Sequence, residues 1–462
     1  MKPSILQGHT RPVKAIAFTS DNKKVLSAST DRTIIAWDLD TKEKVTAYSH
    51  AAAISSFALS KCGKYLVSGD CTGTVSIWDI NLGIALSIIE GDPSDSVRSI
   101  SFGKDDKYLL LTISGRSKTA KSYIKVYDFE NIINISLPEF MINYNSDSKL
   151  NKNSNQNSKN NSPTIEKSNL VNLNDGHNIE NIYNTESIYS NNKISNNKNQ
   201  SKKSKKKNKN NINNNDTDNP VLLHVPKKID FDNVITYKEF VSNESKYTCS
   251  RLFKDNSKLL ISKENGSLEL LDLDTKLKIM EKCIHNQSIL DFDIEENMNF
   301  VISSSMDGYV CIIGLENFQI YFKFNPDNPN RNINSCKIMV IDNPFKTEKK
   351  VDIDDAFNNV DNHAFDDKYS YLRNLTKLPL AIFGGGQDSK LVTTTHGKDG
   401  GFEMIIHELI EGRQLIYFPS HFGPINGIGI SPKDYNWIAS GSEDSTVRLY
   451  NIQECLKTLL NN

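Results

Sequence analysis

The residue types of a hydrolase triad stand close together at the start of the chain, as His9, Ser27 and Asp31. In that chemistry an imidazole takes the serine proton while a carboxylate fixes the imidazole's tautomer. A nucleophilic site, however, occurs once. Here the set returns near the other end as His421, Ser440 and Asp444, and between them as His50 with Ser68 and as His285 with Ser303 and Asp307. Recurrence of this regularity marks a structural device, so no catalytic residue is assigned. The cysteines, at 62, 71, 249, 283, 311, 336 and 455, include no C-x-x-C pair. That argues against a disulfide framework or a zinc site and reads as buried or incidental thiols, with no metal expected. Gly384, Gly385, Gly386 and Gln387 form the other suggestive run, but the Lys-Ser/Thr and following helix of a phosphate loop are missing. Three glycines after a strand allow positive φ or close backbone approach, most simply a tight turn between strands. Thr393, Thr394 and Thr395 read as β-branched strand residues. No cofactor is expected.

The elements that must position these residues are short strands. GHTRPVKAIAFTSDNKKVLSASTDRTIIAWDLD is followed by SHAAAISSFALSKCGKYLVSGDCTGTVSIWDIN, with His9 to Trp37 and His50 to Trp78 both 28 positions apart and a period of 41 between copies. Apolar residues alternate (Val13, Ile16, Phe18; Val25; Ile34, Ile35, Trp37) between turn residues such as Ser-Asp-Asn and Thr-Asp-Arg. That pattern predicts three strands per copy; a helix needs three- and four-residue spacing. Later copies keep the frame: Asp307 stands six residues before Ile313 and Asp444 six before Tyr450, as Asp31 stands six before Trp37. A third copy (VRSISF, then YIKVYDF), a fourth (SRLFKDNSKLLISKENGSLELLDLD) and a sixth (AIFGGGQ, then FEMIIHEL) bring the count to seven.

Charge and composition exclude several classes. With 55 Lys+Arg against 56 Asp+Glu, no global field draws the chain to nucleic acid or an anionic membrane. No stretch reaches the ~18 apolar residues of a membrane span, and MKPSILQGHT lacks a signal-peptide run, so a soluble, cytoplasmic protein is expected. Residues 141–224 are dominated by Asn, Ser and Lys and are expected to be disordered, because they hold too little apolar surface to offset the entropy of ordering. A second polar insertion covers 342–377 and is acidic in its middle, although Phe345, Phe357 and Phe365 punctuate it. The basic run Lys202 to Lys209 reads as a solvated part of the first insertion, with direct RNA contact the weaker alternative. The remainder suits seven or eight repeats of about 40–45 residues, the length of one propeller.

This pattern resembles the WD-repeat family, whose blades are four-stranded antiparallel sheets. The resemblance implies an all-β, seven-bladed propeller in which a histidine, a Ser or Thr, an aspartate and a tryptophan form a hydrogen-bonded tetrad in each blade. Here the matching residues are His9, Ser27, Asp31 and Trp37 in blade 1; His50, Ser68 and Trp78 in blade 2; His285, Ser303 and Asp307 in blade 5; and His421, Ser440, Asp444 and Tyr450 in blade 7. Buried imidazole, carboxylate and indole groups each need such a partner. Thr72 stands where blade 2 should carry the Asp, Asn265 does so in blade 4, and Leu271 replaces the Trp there; those blades are expected to be weaker. Lys2 to Gln7 is expected to close the ring as the outer strand of the last blade. The expected division is blades 1–3 in 1–140, the first insertion after them, blades 4–5 and the start of blade 6 in 225–341, the acidic insertion, the rest of blade 6 and blade 7 in 378–455, and a tail from 456 to 462.

The non-repeat residues narrow the resemblance. MKPSILQGH at the start, Gly384 to Gln387 followed by Val392 to Thr395, and His421, Phe422, Gly423, Pro424, Ile425 and Asn426 are similar to subunit i of eukaryotic translation initiation factor three. That resemblance implies a non-catalytic scaffold that binds subunits b and g, holds a helical segment of b, and supports initiation-complex assembly on the small ribosomal subunit. The alternative is a WD-repeat adaptor of another complex, serving a ubiquitin ligase, chromatin or a receptor. A propeller enzyme would need carboxylates or histidines converging on the inner strands, where VLSAS and YLVSG stand instead.

Overall fold

The computed structural model describes residues 2–117, 119–136, 226–230, 236–242, 244–325, 331–345, 370–372, 375–387, 401–419, 421–433 and 435–460. The blades belong to one compact unit, Met1–Pro138 with Lys227–Asn462. All of 141–224, with its basic run, lies outside the described residues, as do 346–369 of the acidic insertion with Phe357 and Phe365.

Seven sheets make up the unit. Taken from the innermost strand outward, blade 1 is Val13–Phe18, Lys24–Ser29, Thr33–Asp38 and Lys44–Ser49; blade 2 is Ile54–Leu59, Tyr65–Asp70, Val75–Asp79 and Ile84–Glu90. Blade 3 is Asp95–Phe102, Tyr108–Gly115, Ser122–Asp128 and Thr236–Ser242; blade 4 is Tyr247–Leu252, Lys258–Lys263, Ser267–Asp272 and Lys278–Cys283. Blade 5 is Ile289–Glu295, Phe300–Ser305, Val310–Gly314 and Ile320–Phe324; blade 6 is Asn332–Asp342, Lys377–Gly386, Glu403–Glu408 and Gln414–Pro419. Blade 7 has Ile425–Ile430, Trp437–Ser442 and Thr446–Asn451, and its outer strand is Ser4–Gln7 from the other end of the chain, with Ser4 opposite Leu449 and Gln7 opposite Thr446. That pairing closes the ring and leaves blade 7 without an orphaned third strand. The innermost strands of successive blades touch all the way round, including last to first.

Burial along each strand follows its place. The second strand of blade 4 is buried from Leu259 to Lys263, whereas its outer strand Lys278–Cys283 is almost wholly exposed. A central strand lies between the faces of two neighbouring blades and therefore reads as a continuous apolar run, while an outer strand needs only solvation. Each of the seven blade interfaces holds one apolar cluster. Leu26, Ile34 and Tyr48 of blade 1 meet Ile54, Leu66 and Trp78 of blade 2, and Val13, Val25 and Trp37 meet Ala439, Val447 and Leu449 across the closure. The interface of blades 6 and 7 also takes Phe345, at the edge of the acidic insertion, and Ile452, Cys455 and Leu456 of the helix Ile452–Leu460. The expected tail from 456 is thus largely helical and partly buried, because the helix turns an apolar stripe to that interface.

The long insertion enters before blade 3 is complete. The chain leaves by the helix Phe129–Ser136, and the blade's outer strand Thr236–Ser242 is supplied on its return, paired with Ser122–Asp128. Between these lies a feature with no sequence precedent in the repeats: Lys227–Asp230 pairs in parallel with Ile84–Glu90 and makes blade 2 five-stranded.

Candidate functional site

The recurring His and Ser residues come together in four blades. In blade 1, His9 Nδ1 lies 2.8 Å from Asp31 Oδ2 and His9 Nε2 lies 2.8 Å from Ser27 Oγ. The Trp37 indole N–H donates to the same Ser27 Oγ at 2.8 Å. One proton arrangement satisfies every group: Nδ1–H donates to the carboxylate, Nε2 accepts the serine proton, and the serine oxygen accepts from the indole. Thr33 Oγ1 and the Thr10 amide also donate to Asp31. Burial pushes the Asp31 carboxyl up, but the hydrogen bonds from His9 and Thr33 outweigh it and hold the group well below the usual carboxylate range.

Blade 7 repeats the geometry, with His421 2.9 Å from Asp444 and 2.8 Å from Ser440. Burial lowers the His421 pKa against the opposing pull of Asp444, which favours the neutral ring that this arrangement needs. Tyr450 stands at the tryptophan position and packs on Phe418, ring centroids 4.5 Å apart. In blade 5, His285 lies 2.8 Å from Ser303 and 3.2 Å from both oxygens of Asp307. Burial opposes ionisation of Asp307, but His285 and the Asn286 and Tyr309 amides bring its pKa down to about 2.

Blade 2 departs from expectation. His50 binds Ser68 at 2.6 Å and Trp78 donates to Ser68 at 2.8 Å. The carboxylate facing His50 Nδ1, at 3.8 Å, is Asp70, two positions before Thr72. Asp70 ends the second strand and accepts from Thr72 and Thr74, so the carboxylate is moved along the chain and not lost. The expectation of an aspartate-free blade 2 is corrected on this point. The signal was there, since Asp70 is the one acid in YLVSGDCTG.

Blade 4 has no such histidine and uses charge instead. Lys263, almost fully buried, lies 2.9 Å from Glu269 and 2.6 Å from Glu281, and Lys278 lies 2.5 Å from Glu281. Burial resists ionisation of Glu281, yet the two lysines bring its pKa to about 2. Asn265 takes over the turn, accepting from the Ser267 amide and hydroxyl, while Leu271 is buried in the interface with blade 3. In blade 6 the fully buried Glu408 accepts from the Ile410, Glu411 and Arg413 amides and from the Tyr371 hydroxyl.

The triad-like groups have no access to a substrate: Ser27, Ser68, Ser303 and Ser440 are all 0% exposed. Among the described residues no group of three His, Cys, Asp or Glu side chains is placed to hold a metal ion, and no helix is long and apolar enough to cross a membrane.

The glycine run is not a turn. Gly384 to Gly386 end the second strand of blade 6, opposite the inner strand at a register shift between Ile333 and Ser335. A Cβ on Gly385 would stand 2.0 Å from the Asn332 carbonyl oxygen, and Gly386 has φ of +146° against the Phe402 ring. Close approach of two backbones excludes any side chain there. Thr393 to Thr395 lie outside the described residues, and Gln387 is the last residue described before them.

The accessible features are on the surface. Phe422 is 85% exposed beside His421, under the Arg448 guanidinium, and Gly423 and Pro424 follow it into blade 7. Around the rim, the outer strands of blades 4, 5 and 6 expose Ile279, Ile320, Tyr321 and Tyr417, and Leu277 stands exposed just before the first of them. Sequence patterning missed these rim residues, because an outer strand alternates without revealing which face is uncovered.

The chain matches the family model described as "WD domain, G-beta repeat" at residues 2–38, 42–79 and 412–451, which cover the closing strand, blade 1, the first three strands of blade 2, the outer strand of blade 6 and the other three strands of blade 7. It is 22% identical to eukaryotic translation initiation factor 3 subunit I of Schizosaccharomyces pombe, over 97% of this chain and 96% of that protein. The subunit I proteins of Kluyveromyces lactis and Aspergillus fumigatus are each 21% identical, over 98% of this chain and 93% and 95% of their own lengths. The chain is a seven-bladed β-propeller that carries WD-repeat matches near both ends and is similar along nearly its whole length to subunit I proteins of this translation factor.

Proposed function

We propose that the chain is a non-catalytic scaffold subunit of translation initiation factor three, in the position of subunit i, acting in the cytoplasm. It binds subunits b and g and supports assembly of the initiation complex on the small ribosomal subunit. The observation that carries this reading is similarity spanning almost the whole of both chains, both long insertions notwithstanding. A propeller suits the task because a rigid ring presents preorganised surface at little ordering cost. The exposed apolar side chains on the outer strands of blades 4 to 6 match the apolar face of a helix laid along the rim, the mode expected for a segment of subunit b.

Purification of the tagged protein from its own cells, followed by mass spectrometry, tests the assignment. Recovery of subunits b and g in near-equal amount supports it. Recovery with a ubiquitin ligase, chromatin or receptor complex, without b and g, overturns it in favour of another WD-repeat adaptor.

A further inference from the structure

Blade 2 is the one five-stranded sheet, and its extra strand makes the one parallel pairing among the described residues. Lys227 to Asp230 run beside Ser87 to Glu90, on the outer edge of a blade that is already complete with four strands. An outer edge is a row of backbone donors and acceptors and a template for a further strand. Here the chain itself supplies that strand.

The groove that receives it has definite chemistry. Ile229 is the buried anchor, in a slot shared with Leu86 and Ile89 of the edge and Ile132 and Ile133 of the helix Phe129–Ser136. Lys228 reaches Glu90 at 2.6 Å, and Lys227 donates to the Ile135 carbonyl at the end of that helix, where the helix dipole is negative. Ser136 fixes the helix to the edge through Ser87, 2.8 Å away. The site therefore reads backbone in parallel register, one β-branched apolar side chain, and two cations before it. Attachment is slight: a four-residue ladder, one buried side chain, and an ion pair whose partners are both about half exposed.

We propose that the outer edge of blade 2 is a docking site for an extended Lys-Lys-apolar segment of a partner protein, and that Lys227–Asp230 occupies it as a removable internal cap. The partner strand adds in the same register, places its apolar residue in the Ile229 slot and its lysines on Glu90 and the Ile135 carbonyl, and displaces the cap. This docking is separate from the rim of blades 4 to 6 and does not depend on the translation-factor reading.

The probe is a fluorescein-labelled peptide of residues 225–232, titrated by anisotropy into the full chain and into its Ile229→Asp variant, which empties the slot. The variant is expected to bind the peptide at least about tenfold more tightly than the wild type does. A peptide carrying Asp at the isoleucine is expected not to bind. Equal affinity for both proteins, or none for the variant, overturns the proposal. Hydrogen exchange on the wild-type protein gives a second reading that no folding defect can confuse. The amides of the cap segment Lys227–Asp230 are expected to exchange by local opening about 100-fold faster than the inward-facing amides of the edge segment Ser87–Glu90, which bond to Val75–Asp79. Exchange of both segments at one rate makes the fifth strand a permanent part of the blade and ends the idea.

Discussion

Replacing Ser27 by alanine removes one oxygen and leaves two buried groups without their partner. Ser27 Oγ is the shared contact of His9 Nε2 and the Trp37 indole N–H, each at 2.8 Å, and all three residues are buried. A buried polar group left unsatisfied costs about 1–3 kcal/mol, so the pair sets a loss of roughly 2–4 kcal/mol after partial relaxation. The hydroxyl itself fills little volume, so cavity formation adds little. Urea denaturation followed by tryptophan fluorescence measures the loss. Trp37→Phe should cost about 2 kcal/mol, and the double variant should fall short of the sum by about 1 kcal/mol, because both substitutions break the same bond. Ser27→Ala within about 0.5 kcal/mol of wild type, or strict additivity of the pair, would refute the tetrad as a source of stability. Loss of a hydrolytic activity in Ser27→Ala would refute its non-catalytic role.

Removing residues 1–7 takes away the ladder from Ser4 to Gln7 and the buried Leu6; burial of that side chain alone sets a loss of about 2 kcal/mol, and a melting temperature unchanged within a degree or two would contradict ring closure by this strand. Lys263→Met should destabilise by about 3 kcal/mol, because it strands the buried Glu269 carboxylate; Lys278→Met, at a lysine 54% exposed, should cost under about 1 kcal/mol. Asp307 has a folded pKa of about 2 against an ordinary 3.8, so its stabilising contribution is complete above pH 3.8 and is lost as pH falls through about 2. The stability gap between wild type and Asp307→Asn, followed by urea midpoints, should therefore narrow across that window; a gap that widens on acidification would contradict the His285 pairing.

Blades 1, 2, 5 and 7 were legible because a buried imidazole demands a partner at a fixed separation, and His9, His50, His285 and His421 keep their serines at 18 or 19 residues. Asp70 escaped, since a carboxylate at the strand end reaches the same ring space as one in the following turn. The Lys263 network escaped for a related reason: charge pairing with Glu269 and Glu281 fills the role without any residue of the repeat. Gly384 to Gly386 were read as a turn because glycine runs do not distinguish a bend from a close approach, and the approach is set by Asn332, far back in the chain. The cap strand Lys227–Asp230 has no periodicity to betray it, being four residues long with one apolar anchor and a partner strand near Ser87.

Isothermal titration of the intact protein with the helical segment of its own cell's subunit b measures the scaffold role most directly. The wild type should bind in a single saturable step, and Tyr321→Asp, which charges a half-exposed rim residue whose ring edge packs on Phe300, should weaken that binding by about 100-fold. No heat of binding to the wild type, or equal affinity of the two proteins, would contradict the scaffold reading at the rim of blades 4 to 6.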